Sequence, residues 1–246
     1  MARFERITRR SFIADLGRAG LGIVVFGVAA CARDDEGAAA TSAPPARSPE
    51  VSLGGWHRVN LGMVSAYILV RGGEAVLVDT GVEGKASDIE SALSEAGSSW
   101  NELGHLILTH KHPDHIGSAG SIIEEASEAV VYAGEEDIPA IELSRKITAV
   151  ADGDDIAGLR VIGTPGHTPG HVSVLDPTSR VFVAGDAMVG ENGGAAKPPA
   201  QYTEDMDEAL RSVSKVAELD FDIVLFGHGE PITAGGKAKV ATLAEA

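Results

Sequence analysis

The fold of this chain is decided by the stretch Thr109-His110-Lys111-His112-Pro113-Asp114-His115. It places four side chains that can bind a metal within six positions, directly after an apolar run. In an extended segment alternate side chains point the same way, so His110 and His112 are predicted to face one ion while Lys111 faces away. The proline that follows marks a turn or helix start, which redirects Asp114 and His115 toward a second position.

The types of ligand in this stretch limit which metal ions could bind. Imidazole nitrogens and carboxylate oxygens without a thiolate form the set expected for zinc, manganese or iron. A single histidine is more often a surface or core residue than a ligand, but three histidines and an aspartate this close together favour a metal site.

The beginning of the chain is typical of an export signal. Residues 1–10 carry four arginines, and an apolar run follows over residues 19–30, which is shorter than the about 20 residues that span a bilayer. The pair Arg9-Arg10 resembles a twin-arginine signal. Cys31 is the only cysteine and ends a sequence that resembles a lipoprotein cleavage box. We therefore expect an exported protein that is held at the membrane by a lipid on Cys31. The alternative is a periplasmic or secreted protein without this anchor.

Composition bounds the remainder of the chain. Residues 31–50 are rich in Ala, Ser and Pro and are predicted to form a disordered tether, and residues 51–246 are long enough for one compact domain. The formal net charge is −16, and removal of the arginine-rich signal would make the chain more acidic. An acidic surface repels polyanions, so we expect no nucleic acid partner.

The order of elements predicts an α/β fold. Three strands over residues 56–78 are followed by a helix over 87–96, a strand over 104–109, a helix over 116–126 and a strand over 129–132. From residue 156 the pattern is rich in short strands, and helices are predicted over 203–219 and 237–246. Two sheets between two sets of helices fit this order.

Three further candidate ligands stand at predicted strand ends. His171 follows the Pro- and Gly-rich loop over residues 164–170, Asp186 ends the apolar run Val183-Ala184-Gly185, and His228 follows Leu225-Phe226-Gly227. Each of these side chains lies at the end of a predicted strand, which fixes its position. The neighbouring glycines allow another group to come close to the backbone.

In this order the motifs resemble those of the metallo-β-lactamase superfamily, in the hydrolase branch that includes glyoxalase II and acyl-homoserine lactonases. The resemblance covers residues 51–232 and implies a four-layer αββα sandwich with a two-metal site. It implies a first metal held by His110, His112 and His171, a second held by Asp114, His115 and His228, and Asp186 between them. Asp79 is implied to orient ligands, whereas His57, His105 and His167 are left as non-ligands.

These implied roles predict a metal-dependent hydrolase. A hydroxide bridging two divalent ions, which we expect to be zinc with manganese or iron as alternatives, would attack an ester, lactone, thioester or amide-type acyl bond. Asp114 would orient the hydroxide and take up a proton as the catalytic residue. The substrate is expected to be a small acyl compound, with its pocket shaped by residues 188–202. Lys197 in this segment is favoured as a solvated surface lysine over a partner for a substrate carboxylate, and Tyr202 has no clearer role.

Two other classes of function stay open at this point. Iron-dependent persulfide dioxygenases of the same superfamily use one ion, on ligands equivalent to His110, His171 and Asp186, and the sequence does not exclude that chemistry. An anchored domain that binds a ligand without catalysis is the third interpretation. Metal content and oxygen consumption distinguish the three.

Overall fold

The structure is a computed structural model that describes residues 53–246. The predicted signal (1–30), the predicted tether (31–50) and the predicted lipid anchor at Cys31 lie outside the described residues. Within residues 53–246, none of the helices has the length and apolar character needed to cross a membrane.

The first sheet has six strands in the order β1-β2-β3-β4-β5-β6. Their bounds are β1 (Trp56–Asn60), β2 (Ser65–Arg71), β3 (Glu74–Val78), β4 (Leu103–Ile107), β5 (Val130–Gly134) and β6 (Ile147–Val150). Strands β1 to β3 form an antiparallel meander, and β3 to β6 run parallel. The carboxyl ends of β3 and β4 therefore reach the same edge of the sheet.

The second sheet has five strands in the order β13-β10-β9-β8-β7, and a small hairpin stands beside it. The five strands are β7 (Asp155–Ile156), β8 (Leu159–Gly163), β9 (Val172–Asp176), β10 (Val181–Gly185) and β13 (Ile223–Phe226), and the hairpin is β11 (Val189–Glu191) with β12 (Gly194–Ala196). Because β10 and β13 are parallel neighbours, the loops that follow them also leave from one edge.

Helices cover the outer face of each sheet. Their bounds are α1 (Ala86–Glu95), α2 (Pro113–Ile116), α3 (Ala119–Glu125), α4 (Met206–Ala217) and α5 (Gly236–Ala244). Three apolar cores separate the layers: α1 and α3 on the first sheet, sheet on sheet, and α4 and α5 on the second sheet. Representative buried members are Ile89, Leu93 and Leu106 in the first core, Val78, Val174 and Leu225 in the second, and Phe182, Val213 and Val240 in the third. The predicted αββα sandwich is confirmed.

Some predicted elements differ from the structure. The helix predicted over 116–126 is two helices, α2 and α3, because the backbone N–H of Gly117 donates to the carbonyl of Gly81 instead of continuing one helix. Strand β6 was not predicted, since much of it is exposed and it lacks an apolar run. The predicted pocket loop 188–202 contains the hairpin β11–β12.

Candidate metal centre

Asp79 fixes the base of the site. It lies directly after β3 with φ of 61°, a left-handed conformation that a residue without special support rarely adopts. Its two carboxylate oxygens accept hydrogen bonds from the backbone N–H and the hydroxyl of Thr109, each at 2.8 Å, and Oδ2 lies 2.8 Å from Nδ1 of His115. The carboxylate therefore ties the end of β3 to the segment after β4 and aims Nε2 of His115 into the site.

Two more histidines are oriented as Asp79 orients His115, by a hydrogen-bond acceptor on the side of the ring that faces away from the site. Thr109 donates its hydroxyl proton to Asp79, so its oxygen accepts from Nδ1 of His110 at 3.0 Å. Nδ1 of His228 donates to the carbonyl oxygen of Met63 at 2.6 Å. In each ring a proton on the outer nitrogen turns Nε2 toward the site, where Nε2 offers a lone pair once any proton on it has been displaced.

His167 follows the same rule. The hydroxyl of Thr203 donates to the carbonyl of Pro199 at 3.0 Å, so its oxygen accepts from Nδ1 of His167 at 3.3 Å. Nε2 of His167 then faces Nδ1 of His112 at 3.0 Å. A ring expected to be a non-ligand is thus buried and presents its free nitrogen to the site.

The first group of ligand atoms consists of nitrogens from His110, His112 and His167. Nε2 of His110 lies 3.1 Å from Nδ1 of His112, and all the ligand atoms of the group lie within 4.8 Å of one another. Burial lowers the pKa of His110 well below its usual range and lowers that of His167 to about 4. These imidazoles are neutral at pH 7, which is the form that binds a metal.

The second group combines Asp114, His115 and His228. Nε2 of His228 lies 3.2 Å from Oδ2 of Asp114 and 3.4 Å from Nε2 of His115. Hydrogen bonds to Asp114 and Asp186 raise the pKa of His228 to about 10. Burial opposes charge on His115, but the carboxylates of Asp186 and Asp79 outweigh burial and raise its pKa well above the usual range.

Asp186 stands between the two groups. Its Oδ2 lies 3.5 Å from Nε2 of His167 and 3.4 Å from Nε2 of His228, and its Oδ1 lies 3.4 Å from Nε2 of His115. Burial disfavours the charged carboxylate, but the charge of His115 and hydrogen bonds from His115 and His228 hold the pKa of Asp186 well below its usual range. The carboxylate therefore faces both groups in its ionised form.

These side chains fit divalent metal ions. Asp186 Oδ1 is buried and has no well-aligned hydrogen-bond donor within the described part of the chain. Lone pairs of several imidazoles converge on the same small volume, where their mutual contacts cannot satisfy all of them. Nitrogen and carboxylate oxygen ligands without sulfur suit zinc, manganese or iron.

The structure places His171, which was expected to hold the first metal, outside the ligand groups. Nε2 of His171 accepts the backbone N–H of Asp186 at 3.0 Å and its Nδ1 pairs with the hydroxyl of Thr164 at 2.8 Å, so neither nitrogen is free. His167 takes the expected place of His171 beside His110 and His112. The resemblance implied His171 as a ligand, whereas the packing of the loop between β8 and β9 turns His167 toward His110 and His112.

The remaining histidines and aspartates of the prediction lie either at the centre or away from it. His110, His112, Asp114, His115, Asp186 and His228 are brought together as described, although the structure does not test whether they bind a metal. His57 and His105, expected to be non-ligands, lie in β1 and β4 and belong to none of the ligand groups.

Asp137 supports the site and was missed from the sequence. Its fully buried carboxylate accepts hydrogen bonds from the backbone N–H of Lys111 at 2.9 Å, the hydroxyl of Thr168 at 2.6 Å and the backbone N–H of Gly170 at 2.9 Å. It joins the segment that carries His112 to the loop that carries His167. Its sequence context is a run of acidic residues that is typical of an exposed turn, so no local signal marks it.

A cavity of about 640 Å³ opens onto this centre, a volume in the range of small-molecule sites. Asp114, His167, Asp186 and His228 line it on the side of the centre, and Tyr202 lines it as well. Lys197 is not among the residues that line it.

Comparisons with known proteins agree with the fold and the centre. The sequence model of the metallo-beta-lactamase superfamily matches residues 59–228. The chain is similar to "Probable metallo-hydrolase YflN" of Bacillus subtilis, with 28% identity over 225 residues that cover 73% of this chain and 85% of that protein. It is also similar to a hydroxyacylglutathione hydrolase of Francisella philomiragia, with 30% identity over 126 residues that cover 50% of this chain and 47% of that protein.

Solved structures show the same architecture. A metallo-beta-lactamase family protein of Thermus thermophilus, TTHA1429, superposes with a TM-score of 0.63 at 27% identity and covers 78% of each chain. The metallo-beta-lactamase SMB-1 superposes with a TM-score of 0.59 at 21% identity, covering 72% of this chain and 78% of the other, and this likeness concerns the fold alone.

Proposed function

Because the chain belongs to the metallo-beta-lactamase superfamily, we propose that it is a hydrolase that uses two divalent metal ions to cleave an acyl bond of a small molecule. The position of the Asp186 carboxylate carries this proposal. It faces a group of three imidazoles on one side and a group of two imidazoles and a carboxylate on the other. One shared carboxylate between two ligand groups is an arrangement suited to two ions a few ångströms apart.

Each ion would have its own ligands in this chain. His110, His112 and His167 would hold the first, and Asp114, His115 and His228 would hold the second, with Asp186 shared. Two bound ions would lower the pKa of water to near neutrality and polarise the scissile carbonyl. Zinc is the ion that we expect from this nitrogen and oxygen set, with manganese or iron as alternatives.

Asp114 is the residue that would move the proton. Its side chain is about one-third exposed and lines the cavity beside the ligand groups. A hydrogen bond from His228 lowers the pKa of Asp114, so its carboxylate is ionised at neutral pH. In this proposal Asp114 orients the attacking water and receives its proton.

Metal analysis followed by a substrate screen tests the proposal. Protein purified without chelator is expected to contain two zinc or manganese ions per chain and to hydrolyse at least one of a panel of lactones, esters, thioesters and β-lactams. Chelation should abolish hydrolysis, and added Zn²⁺ should restore it. One iron per chain with oxygen consumption on a persulfide would instead support a dioxygenase, and a metal-free active protein would contradict both.

We also propose export and lipid anchoring through Cys31, on the basis of the amino-terminal sequence alone. Expressed with its full amino terminus, the protein is expected in the membrane fraction and to incorporate labelled fatty acid. A Cys31→Ser variant should lose the label, and equal labelling of that variant would contradict the proposal.

A further inference from the structure

The wall of the cavity over the metal centre is largely apolar. Met63 of the β1–β2 turn and Tyr202 of the short helical turn Ala200–Tyr202 stand on it, together with Val189 and Pro199. In residues 53–246 the large hydrophobic side chains that are clearly exposed are Met63, Tyr202 and Val130. Two of these three border the same cavity, which indicates a surface kept apolar for a ligand.

Within the part of the chain that the structure describes, the wall outside the ligand groups carries a single charged side chain, and it is negative. Apart from the side chains of the two ligand groups and Asp186, the charged residue that lines the cavity is Glu191, at the end of β11. No lysine or arginine is found among the described residues that line it. Arg58, whose guanidinium donates to the carbonyl of the lining residue Gly229, is paired with Glu230 at 2.7 Å.

From these observations we infer that the part of the substrate lying along this wall is uncharged and is an apolar acyl chain. This inference rests on the proposed function. Beside this wall, away from the ligand groups and the ions that they would hold, a substrate carboxylate would lose water and would meet Glu191 with no lysine or arginine among the described lining residues to compensate its charge. An alkyl chain would instead cover Met63, Val189 and Tyr202.

A matched pair of thioesters tests the inference. S-hexanoyl-N-acetylcysteamine and S-hexanoyl-N-acetylcysteine present the same bond and acyl chain and differ by one carboxylate. With fully metal-loaded protein, we expect kcat/KM to be at least tenfold higher for the uncharged compound. Glu191→Lys should narrow this difference. An equal or reversed preference would overturn the inference, whereas cleavage of neither thioester would overturn the proposed function together with it.

Chain-length dependence provides a second readout with an internal control. Met63→Gln should lower kcat/KM for the hexanoyl thioester more than for the acetyl thioester, because only the longer chain reaches the apolar wall. Val130→Gln alters a comparably exposed apolar residue of β5 that does not line the cavity and should leave both values unchanged. The same response from both variants would contradict the assigned wall.

A separate observation concerns His171, which the metal groups do not use. A buried series of hydrogen bonds fixes its protonation. The hydroxyl of Ser173 donates to the carbonyl of Ala184 at 2.9 Å, so its oxygen accepts from the hydroxyl of Thr164 at 2.9 Å. Thr164 in turn accepts from Nδ1 of His171 at 2.8 Å, which leaves Nε2 to accept the backbone N–H of Asp186 at 3.0 Å.

The ring of His171 also packs closely on the backbone that precedes Asp186. Gly185 has φ of 55°, and a Cβ placed there would lie 2.8 Å from Nε2 of His171. The contact of His171 with Gly185 and its hydrogen bond with the Asp186 N–H together fix the backbone that carries the Asp186 carboxylate. The contribution of the ring is thus to the position of Asp186.

We propose that His171 is a positioning residue for Asp186 and not a metal ligand. Its neutral ring, protonated at Nδ1, sets the backbone of Asp186 so that the carboxylate faces both ligand groups before any ion binds. The inference depends on the proposed two-ion site. It predicts that loss of the ring acceptor weakens metal binding without reducing the number of ions bound at saturation.

Equilibrium dialysis with Zn²⁺ and visible spectra of the Co²⁺-loaded protein test this role. His171→Leu is expected to bind two ions with about 10- to 100-fold lower affinity, the range typical of outer partners of ligands. His171→Gln, whose amide oxygen can accept from the Asp186 N–H, should bind within about threefold of the parent protein. Both should keep the Co²⁺ spectrum of the parent.

His167→Gln is the matched control, since it changes a proposed ligand in the same loop and should lose one ion and alter the spectrum. If His171→Gln lost an ion and changed the spectrum in the same way, His171 would be a ligand and the proposal would be overturned. Native affinity in His171→Leu would overturn it as well. Should His171→Leu fail to fold by circular dichroism, Ser173→Ala, which removes the far end of the hydrogen-bond series, should lower affinity less than tenfold, and unchanged affinity would contradict the proposal.

Discussion

The two ligand groups that face Asp186 differ in burial and in charge. In the first, His110 and His167 are almost wholly buried, at 0% and 1% exposed, and burial keeps the pKa of each low. In the second, the side chains of Asp114 and His228 are 32% and 29% exposed, and neighbouring carboxylates raise the pKa of His228 to about 10. The first group is therefore ready to bind a cation at neutral pH, whereas the second already holds protons that a cation must displace.

The largest effect is expected where the two groups meet. Asp186→Ala removes the carboxylate that both share, which leaves Asp79 beside the charged His115 and Asp114 beside the charged His228. Removing one carboxylate from a buried set of charges costs the folded protein about 3–5 kcal/mol. Loss of a shared ligand should also weaken both ions by more than the about 10- to 100-fold typical of a residue that only orients a ligand. Dialysis should show both ions weakened and activity lost. Asp176→Asn, at a buried carboxylate that pairs with Arg71 far along the chain, is the control and should keep both ions.

Single ligand changes should separate the two groups. His167→Ala is expected to weaken the ion of the first group by about 10²-fold or more, because loss of a ligand exceeds the 10- to 100-fold typical of an outer partner. His228→Ala should do the same to the second ion and leave the first in place. Metal titration of each variant measures this difference, and loss of both ions in both variants would contradict two separable sites.

The sequence predicts the architecture and most of the centre, for reasons visible in particular residues. The ligands between His110 and His115 lie within six positions, so local geometry alone brings them near each other. Asp186 and His228 follow two buried strands, which are parallel to each other and end at the same edge of the sheet. Their juxtaposition therefore follows from sheet topology.

The choice between His167 and His171 does not follow from local pattern. The two residues lie four positions apart in one Pro- and Gly-rich loop, and distant contacts set its path. Gly166 is packed so closely on helix α4 that a Cβ there would lie 2.1 Å from the backbone nitrogen of Ala209, and Gly170 donates to Asp137. Such contacts depend on the assembled fold.

The difference in protonation predicts a pH dependence confined to the second group. The pKa of His228 in the folded protein, about 10, lies above its ordinary value of 6.5. In the metal-free protein the stabilisation from charged His228 is thus fully present below pH 6.5 and is lost as pH rises toward 10. Over the same interval fewer protons compete with the ion, so the affinity of the second ion should rise by up to about tenfold per pH unit for each proton that it displaces from His115 and His228.

Chelator competition with Zn²⁺ at pH 6.5, 7.5 and 8.5 measures this effect. The first ion should respond less, because His167, with a pKa of about 4, is already neutral at all three values. Thermal unfolding of metal-free protein over the same range should show stability falling with pH. Equal pH dependence of both ions would contradict the distinction between the groups.

The smallest predicted effect tests the support of the first group. Asp137 accepts from the backbone of Lys111, which lies between His110 and His112, and from Thr168 and Gly170 beside His167. Asp137→Asn keeps the size of the side chain but replaces one acceptor oxygen with an NH₂ group that cannot accept, leaving a buried donor unpaired at about 1–3 kcal/mol. Part of that cost should appear as a shift of the His167 loop, which we expect to weaken the first ion by about tenfold.

The second ion provides the internal reference for this variant, because none of the hydrogen bonds of Asp137 reaches Asp114, His115 or His228. Its affinity should change by less than about twofold in a two-site dialysis experiment. Equal weakening of both ions would mean that the two ligand groups move as one unit, since Asp186 would then transmit the displacement of His167 to the other side.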